Sequence, residues 1–158
     1  MTIRDYIASY NKTFDYVEKT FGADALRDLF ATLSREYCTH LDECVREYGV
    51  EGCLKYWGGD SGTLSREKID FQAYMDDSGV FRARIRNCTS VNDVRNRGQE
   101  PHLGELTYCD HCDALYSPVC ARYGVELHFT PEYRADGSCA GNCTWYAKKM
   151  EGKSSARN

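Results

Sequence analysis

The sequence has 158 residues, of which 42% are hydrophobic and 28% are charged, and its formal net charge is -4. This length predicts a single α+β domain, which we place at residues 1–150, followed by a frayed polar tail at residues 151–158. The slightly acidic balance argues against nucleic acid or an anionic membrane as a partner and favours a small molecule. The N-terminus lacks the apolar block of a signal peptide, so we expect a cytoplasmic protein.

The first third of the sequence has the apolar periodicity of amphipathic helices. Apolar residues recur at three- and four-residue steps from Ile3 to Val17, which predicts a helix that ends near Gly22. A second apolar stripe begins at Leu26 and predicts one long helix that stops at Gly49. We interpret this stripe as a surface that faces the core. The alternative interpretation is that the stripe forms the seam of a homodimer.

After residue 68 the apolar period changes from that of a helix to that of a strand. Alternation from Ile69 to Met75 and from Val80 to Arg86, around the turn residues 76–79, predicts a β-hairpin. The remaining predicted elements are a short helix that opens at Ser90, a long helix over residues 102–122 that Pro118 bends or ends early, and strands over residues 125–129 and 143–147, with a loop over 131–137 between them. Together these elements predict an α+β fold with N-terminal amphipathic helices packed on a mostly antiparallel sheet of about four strands.

Three arginines occupy alternate positions of the second hairpin strand. Arg82, Arg84 and Arg86 therefore share one face of that strand. We interpret this face as solvated, with an anion-binding wall as the alternative.

Nine cysteines are the most informative feature of the composition. Without a secretion signal, we expect reduced thiols and not a disulfide framework. Isolated cysteines are most simply explained as small buried apolar residues, which applies to Cys38, Cys44, Cys53 and Cys120. The other five all lie in the C-terminal half of the sequence: Cys88, Cys109, Cys112, Cys139 and Cys143.

Two of these cysteine pairs have the ligand chemistry of a metal site. Cys109 and Cys112 form a C-x2-C pair, and Cys139 and Cys143 follow as a C-x3-C pair. Four thiolates suit zinc or an iron–sulfur cluster. The hypothesis is a closed four-cysteine site, although the 26 residues between the two pairs exceed the usual spacing.

A cysteine nucleophile is the other chemical hypothesis. On a helix, Cys109 and Asp113 are four residues apart and share a face. Either Cys88 or Cys109 would attack an electrophilic carbon, with Asp113 and His111 as acid–base partners. The spacing alone does not choose between the two thiols.

The order of these residues resembles the L-2-amino-thiazoline-4-carboxylic acid hydrolase family. The segments that carry the likeness are Phe21–Ala25, Arg86–Cys88, Tyr108–Asp113, Glu126–Phe129, Gly137 and Cys143–Tyr146. The resemblance implies a hydrolase whose site contains Cys88, Cys109, Asp113 and Cys143. Cys112 and Cys139 depart from the family's pattern.

The resemblance also implies a reaction, the hydrolysis of the cyclic isothiourea 2-aminothiazoline-4-carboxylate to N-carbamoyl-cysteine. A thiolate or an activated water would add to the amidine-like carbon, and a carboxylate would handle the proton. Arg84 or Arg86 would hold the substrate carboxylate through a bidentate contact. The competing hypothesis is a non-catalytic sensor module of the 4-vinyl reductase-like type, in which the same cysteines hold a metal or a small ligand.

Overall fold

The computed structural model describes residues 2–59, 62–66 and 70–152. Within these residues the elements are, in chain order, α1 (Ile3–Phe21), α2 (Ala23–Tyr37), α3 (Thr39–Tyr48), α4 (Val50–Trp57), α5 (Thr63–Arg66), β1 (Phe71–Met75), β2 (Phe81–Ile85), α6 (Thr89–Asn96), α7 (Asp110–Ala121), β3 (Val125–Tyr133) and β4 (Cys139–Lys149). The strand position predicted for Ile69 and residues 153–158 of the predicted tail lie outside the described residues. No helix in the described ranges is both long and apolar enough to cross a bilayer.

The strands form an antiparallel sheet in the order β1-β2-β4-β3. The predicted hairpin supplies β1 and β2, and β4 is inserted between β2 and β3. In this register Cys143 of β4 lies opposite Ile85 on one side and Pro131 on the other. The fold is therefore α+β, with helices that precede an antiparallel sheet, as the sequence predicted.

The helices cover one face of this sheet. On β2 the side chains of Phe81, Ala83 and Ile85 are buried, whereas the intervening arginines are exposed. Trp57 at the end of α4 stacks on Phe81 with ring centroids 5.9 Å apart. Alternation along β2 thus decides which side chains meet the helices.

A second apolar cluster lies between the helices. It joins Phe14 of α1, Phe30 of α2 and Leu115 of α7 with Tyr108, which precedes α7. Cys38 and Cys88 pack against both this cluster and the one on the sheet. The two clusters therefore meet at these thiols.

The long helix predicted from Leu26 onward is two helices. α2 ends at Tyr37, the following Cys38 has a ψ of 35° that is not helical, and α3 begins at Thr39. The apolar stripe continues across the break, because Leu26 of α2 packs in the inter-helical cluster and Leu41 of α3 packs in the cluster on the sheet. Periodicity alone does not reveal this change of direction.

The long helix predicted over residues 102–122 is correct only from Asp110 onward. Residues 102–109 form a loop with an isolated bridge between Leu103 and Thr107. Pro118 lies inside α7 without ending it, since the helix runs on to Ala121. β3 also extends through Pro131 to Tyr133, where a loop was predicted.

The close packing of α3 and α4 gives a test of the fold. A Cβ on Gly52 would lie 2.3 Å from the carbonyl oxygen of Cys44, and backbone cannot move aside as a flexible side chain can. We expect Gly52→Ala to lower the free energy of unfolding by about 1–3 kcal/mol, although Ala is the better helix former. Urea unfolding followed by circular dichroism measures this change.

The matched control is Glu51→Ala, since Glu51 is the exposed neighbour on the same helix. It should change the free energy of unfolding by less than about 0.5 kcal/mol. Equal stability of the two variants would contradict the close approach of the helices.

Candidate active site

A cavity of about 390 Å³ lies between the helices and the buried face of the sheet. One part of its wall is aromatic and includes Trp57, Phe129 and Trp145. Another part is formed by Cys88, Cys109, His111, Cys112 and Cys143. The volume is within the range of small-molecule sites in proteins, roughly 300–1,000 Å³.

The sheet supplies two of the thiols on this wall. Cys88 follows β2 and is the N-cap residue of α6, and its backbone N–H donates to the carbonyl of Gly141 on β4 at 2.7 Å. Cys143 lies further along β4, opposite the end of β2. Pairing of β2 with β4 therefore fixes both thiols relative to each other.

The first turn of α7 supplies the other polar groups. Cys109 is the N-cap residue of α7, and its backbone N–H donates to Cys139 Sγ at 3.2 Å. His111 and Cys112 follow in the first helical turn. The start of β4, where Cys139 lies, thus sets the position of this turn.

The loop before α7 is held by a carboxylate from α1. Glu18 accepts the backbone N–H of Glu105 at 2.6 Å and lies 2.5 Å from Nε2 of His102. Burial alone would raise the pKa of Glu18, but the hydrogen bonds from His102 and from the N–H groups of Glu105 and Leu106 lower it overall. Ionised Glu18 therefore stabilises the path of the chain into Cys109.

Cys112 and His111 form a thiol–imidazole pair. Cys112 Sγ lies 3.6 Å from His111 Nε2, and His111 Nδ1 contacts the carbonyl oxygen of Tyr108. A carbonyl oxygen only accepts hydrogen bonds, so Nδ1 carries the proton of the neutral ring and Nε2 presents its lone pair to the thiol. Cys112 as the nucleophile, His111 as its base and the carbonyl of Tyr108 as the group that orients the base are therefore linked by consecutive hydrogen bonds.

Burial keeps this pair uncharged. Desolvation lowers the pKa of His111 below its usual 6.5, which favours the neutral imidazole. Desolvation, with further contributions from the nearby Cys139 and the carboxylates of Asp113 and Asp110, raises the pKa of Cys112 to about 12. Desolvation is likewise the largest cause that raises the pKa of Cys88, and that of Cys143 to about 12.

Cys139 differs from these thiols in its pKa and in its position, because it does not line the cavity. A hydrogen bond from the Cys109 thiol is the largest cause that lowers the pKa of Cys139, to about 7, and the same bond raises the pKa of Cys109 well above its usual value. Cys139 is fully buried and does not line the cavity. Its role in the structure is to accept hydrogen bonds from Cys109.

Three residues predicted for the site lie away from the cavity. Asp113 is exposed and accepts the hydroxyl of Ser117 at 2.8 Å, because it lies about 100° further around α7 than Cys112. Arg84 is on the solvent face of the sheet, opposite the helices, and Arg86 is exposed just beyond β2. Neither arginine can hold a ligand in the cavity.

The four-cysteine metal site predicted from Cys109, Cys112, Cys139 and Cys143 is not assembled. Among the residues that the structure describes, no three His, Cys, Asp or Glu side chains form a group that could hold a metal ion. Cys139 is fully buried and its Sγ accepts the backbone N–H of Cys109, whereas Cys143 lies on the cavity wall.

Sequence reasoning placed Cys88, Cys109, His111 and Cys143 among the candidates, and all four line the cavity. It considered Cys112 only as a metal ligand. The adjacent His111-Cys112 pair was the available signal, but the helix predicted over residues 102–122 placed the pair in its interior. The structure starts α7 at Asp110 and so places the thiol near a helix N-terminus and a histidine, a recognised nucleophile arrangement.

Comparisons with known proteins do not assign this chain. It matches no protein-family model and no curated protein. The resemblance to the thiazoline hydrolases therefore stays a prediction, and the geometry of the cavity carries the functional argument.

The Glu18 carboxylate gives a pH-dependent test of how the site is held. Its folded-state pKa is below the usual 4.5, so the ionised group contributes stability above that pH and loses it as pH falls through the folded-state pKa. We expect Glu18→Gln to lower the free energy of unfolding, by more at pH 7 than near pH 4. Urea titrations at the two pH values measure this.

Glu51→Gln is the control, because Glu51 is an exposed carboxylate on α4. Its effect should be small and nearly the same at both pH values. A Glu18→Gln effect that does not depend on pH would contradict the assigned role of the carboxylate.

Proposed function

We propose that this protein is a cysteine-dependent hydrolase of a small molecule, with Cys112 as the nucleophile and His111 as its base. The observation that carries the proposal is the 3.6 Å contact between Cys112 Sγ and His111 Nε2 on the wall of a ligand-sized cavity. Among the described cysteines, Cys112 has the hydrogen-bond contact to an imidazole nitrogen. The resemblance to thiazoline hydrolases supports the same class of reaction.

The first half of the reaction forms a covalent intermediate. Cys112 Sγ attacks the electrophilic carbon while its proton moves to Nε2 of His111, and the electron pair of the C=N or C=O bond moves to the heteroatom. When that pair returns, the bond to the leaving group breaks, and the imidazolium gives its proton to the leaving group. For a cyclic isothiourea the bond that breaks is a C–N or C–S bond of the ring.

The second half consumes one water. His111 takes a proton from the water, whose oxygen adds to the same carbon, and the bond between that carbon and Cys112 Sγ breaks. The sulfur leaves with the proton that His111 holds, which restores the neutral pair. Because Cys112 lies in the first turn of α7, the helix dipole favours the partial negative charge that develops on sulfur.

A second candidate function is binding without catalysis. The raised pKa values of Cys88, Cys109 and Cys143 favour this view, because uncharged thiols behave as apolar lining. The predicted sensor module would use the cavity in that way. Turnover, or its absence, separates the two functions.

The nucleophile can be identified by substitution. We expect Cys112→Ser to reduce the hydrolysis of p-nitrophenyl acetate, and of any substrate found in a panel of cyclic isothioureas and amidines, by about 10³-fold or more. A hydroxyl is intrinsically a much weaker nucleophile than a thiol, so serine does not replace the sulfur in this site. Initial rates, together with mass mapping of the acetylated peptide under reducing conditions, measure the effect.

Two kinds of control accompany this variant. Cys44→Ser alters a half-buried thiol that does not line the cavity, and it should leave turnover unchanged. Cys109→Ser and Cys88→Ser alter thiols on the same wall and should retain most of the activity. Normal turnover by Cys112→Ser, or loss of turnover in Cys109→Ser alone, would contradict the assignment.

The pH profile tests the base. His111 must be neutral to accept the thiol proton, so activity should fall only as pH decreases through its lowered pKa. We expect the acidic limb of kcat/KM to have its midpoint below pH 6.5 and to disappear in the residual activity of His111→Gln. A limb centred above pH 7, or one retained in His111→Gln, would show that another group is the base.

A further inference from the structure

Two thiols of the chain meet where the first turn of α7 contacts the start of β4. The backbone N–H of Cys109 donates to Cys139 Sγ at 3.2 Å, and the Cys109 thiol donates a second hydrogen bond to the same sulfur. Cys109 is the N-cap residue of α7 and Cys139 is the first residue of β4. The pair therefore joins two elements through residues that are 30 positions apart in the chain.

This contact prepares the two sulfurs for a disulfide bond. Both cysteines are free thiols in the structure. The sulfurs of a disulfide are about 2.05 Å apart, so two thiols that are already hydrogen-bonded need only approach each other further. Oxidation of the pair shortens an existing contact between α7 and β4, and neither element has to find a new neighbour.

The two cysteines differ in their access to small molecules. Cys109 is half-buried and lines the cavity of about 390 Å³, whereas Cys139 is fully buried. A small oxidant that enters the cavity, such as hydrogen peroxide, therefore meets Cys109 first. Cys139 is in contact with the product, because its sulfur touches the Cys109 side chain.

The hydrogen bond between the thiols also provides an acceptor for the proton of Cys109. This bond lowers the pKa of Cys139 to about 7, so Cys139 is partly ionised at neutral pH. The same bond raises the pKa of Cys109 above its usual value, so Cys109 keeps its proton until its sulfur reacts. A thiolate is the reactive form of cysteine, and transfer of the proton to Cys139 supplies that form at Cys109.

We propose that Cys109 and Cys139 are a redox pair that peroxides oxidise to an intramolecular disulfide. Cys109 Sγ attacks one peroxide oxygen, the O–O bond breaks, the thiol proton moves to the Cys139 thiolate, and the departing hydroxide takes a proton from the solvent. Cys139 Sγ then attacks the sulfur of the Cys109 sulfenic acid, and its proton leaves with the hydroxyl group as water. The two sulfurs lose two electrons, which the peroxide gains. A small dithiol reverses the change by exchange, and the pair operates whether or not the protein is a hydrolase.

The chain contains a matched control pair in Cys53 and Cys120. Their thiols are also hydrogen-bonded to each other, but both residues are fully buried and neither lines the cavity. The control pair thus has the thiol contact without the access. It should react with peroxide much more slowly than Cys109 and Cys139.

Peptide mapping by mass spectrometry tests the redox pair in the unaltered protein. Reduced protein is treated with hydrogen peroxide for increasing times, and the remaining thiols are blocked with N-ethylmaleimide in denaturant. We expect the first cross-link to join the peptides of Cys109 and Cys139, at a rate at least about tenfold above that of any link between Cys53 and Cys120, because only the first pair is accessible. Dithiothreitol should reverse it.

Two variants extend the test, with circular dichroism as the check that each is folded. Cys112→Ser should form the cross-link at an unchanged rate, since Cys112 Sγ contacts His111 and takes no part in the pair. Cys109→Ser removes the accessible thiol and keeps the size of the side chain, so oxidation of Cys139 should become at least about tenfold slower.

Three results would overturn the inference. The first is an initial cross-link from Cys109 to Cys112, the second thiol of the C-x2-C pair. The second is oxidation of Cys53 and Cys120 at the same rate as the proposed pair. The third is rapid oxidation of Cys139 in Cys109→Ser, which would show that the oxidant reaches Cys139 directly. Turnover of substrate is not needed for any of these measurements, so they are decided separately from the proposed hydrolysis.

Discussion

The candidate site depends on the contact between the first turn of α7 and the start of β4. Cys139, fully buried in β4, accepts the backbone N–H of Cys109 at 3.2 Å, and this bond anchors the N-terminus of the helix on the sheet. His111 and Cys112 follow within one helical turn, so their directions are set by that anchor. On the other side, Glu18 of α1 holds the loop that enters α7. The thiol–imidazole pair is therefore supported by the sheet and by the first helix at once.

The same burial that shapes the cavity determines its chemistry. Desolvation lowers the pKa of His111 and raises that of Cys112, so the pair is neutral at rest. A neutral pair suits general-base activation, in which the proton moves only as the sulfur attacks.

The cavity exists because two apolar clusters meet without merging. The cluster on the sheet contains Trp57 and Trp145, and the inter-helical cluster contains Phe14 and Tyr108. The break at Cys38 lets one apolar stripe serve both clusters, since Leu26 of α2 packs in one cluster and Leu41 of α3 packs in the other. The aromatic wall belongs to the cluster on the sheet, against which Cys112 and Cys143 also pack, whereas Cys109 packs against the inter-helical cluster.

The sequence by itself determined the elements whose signals are local. Glycine at 22 and 49 ends helices, and alternation predicts the β1–β2 hairpin, so the α+β class followed, as did the candidacy of Cys88, Cys109 and Cys143. Only the tertiary structure decided that Cys112, and not Asp113, faces the cavity, and that the arginine face of β2 is solvated and is not an anion-binding wall. The reason is that the periodicity of apolar residues shows which side chains share a face of a helix or strand, but not which other element packs against that face. Which face is covered depends on contacts between residues far apart in the chain, such as Glu18 with Glu105 and Cys109 with Cys139.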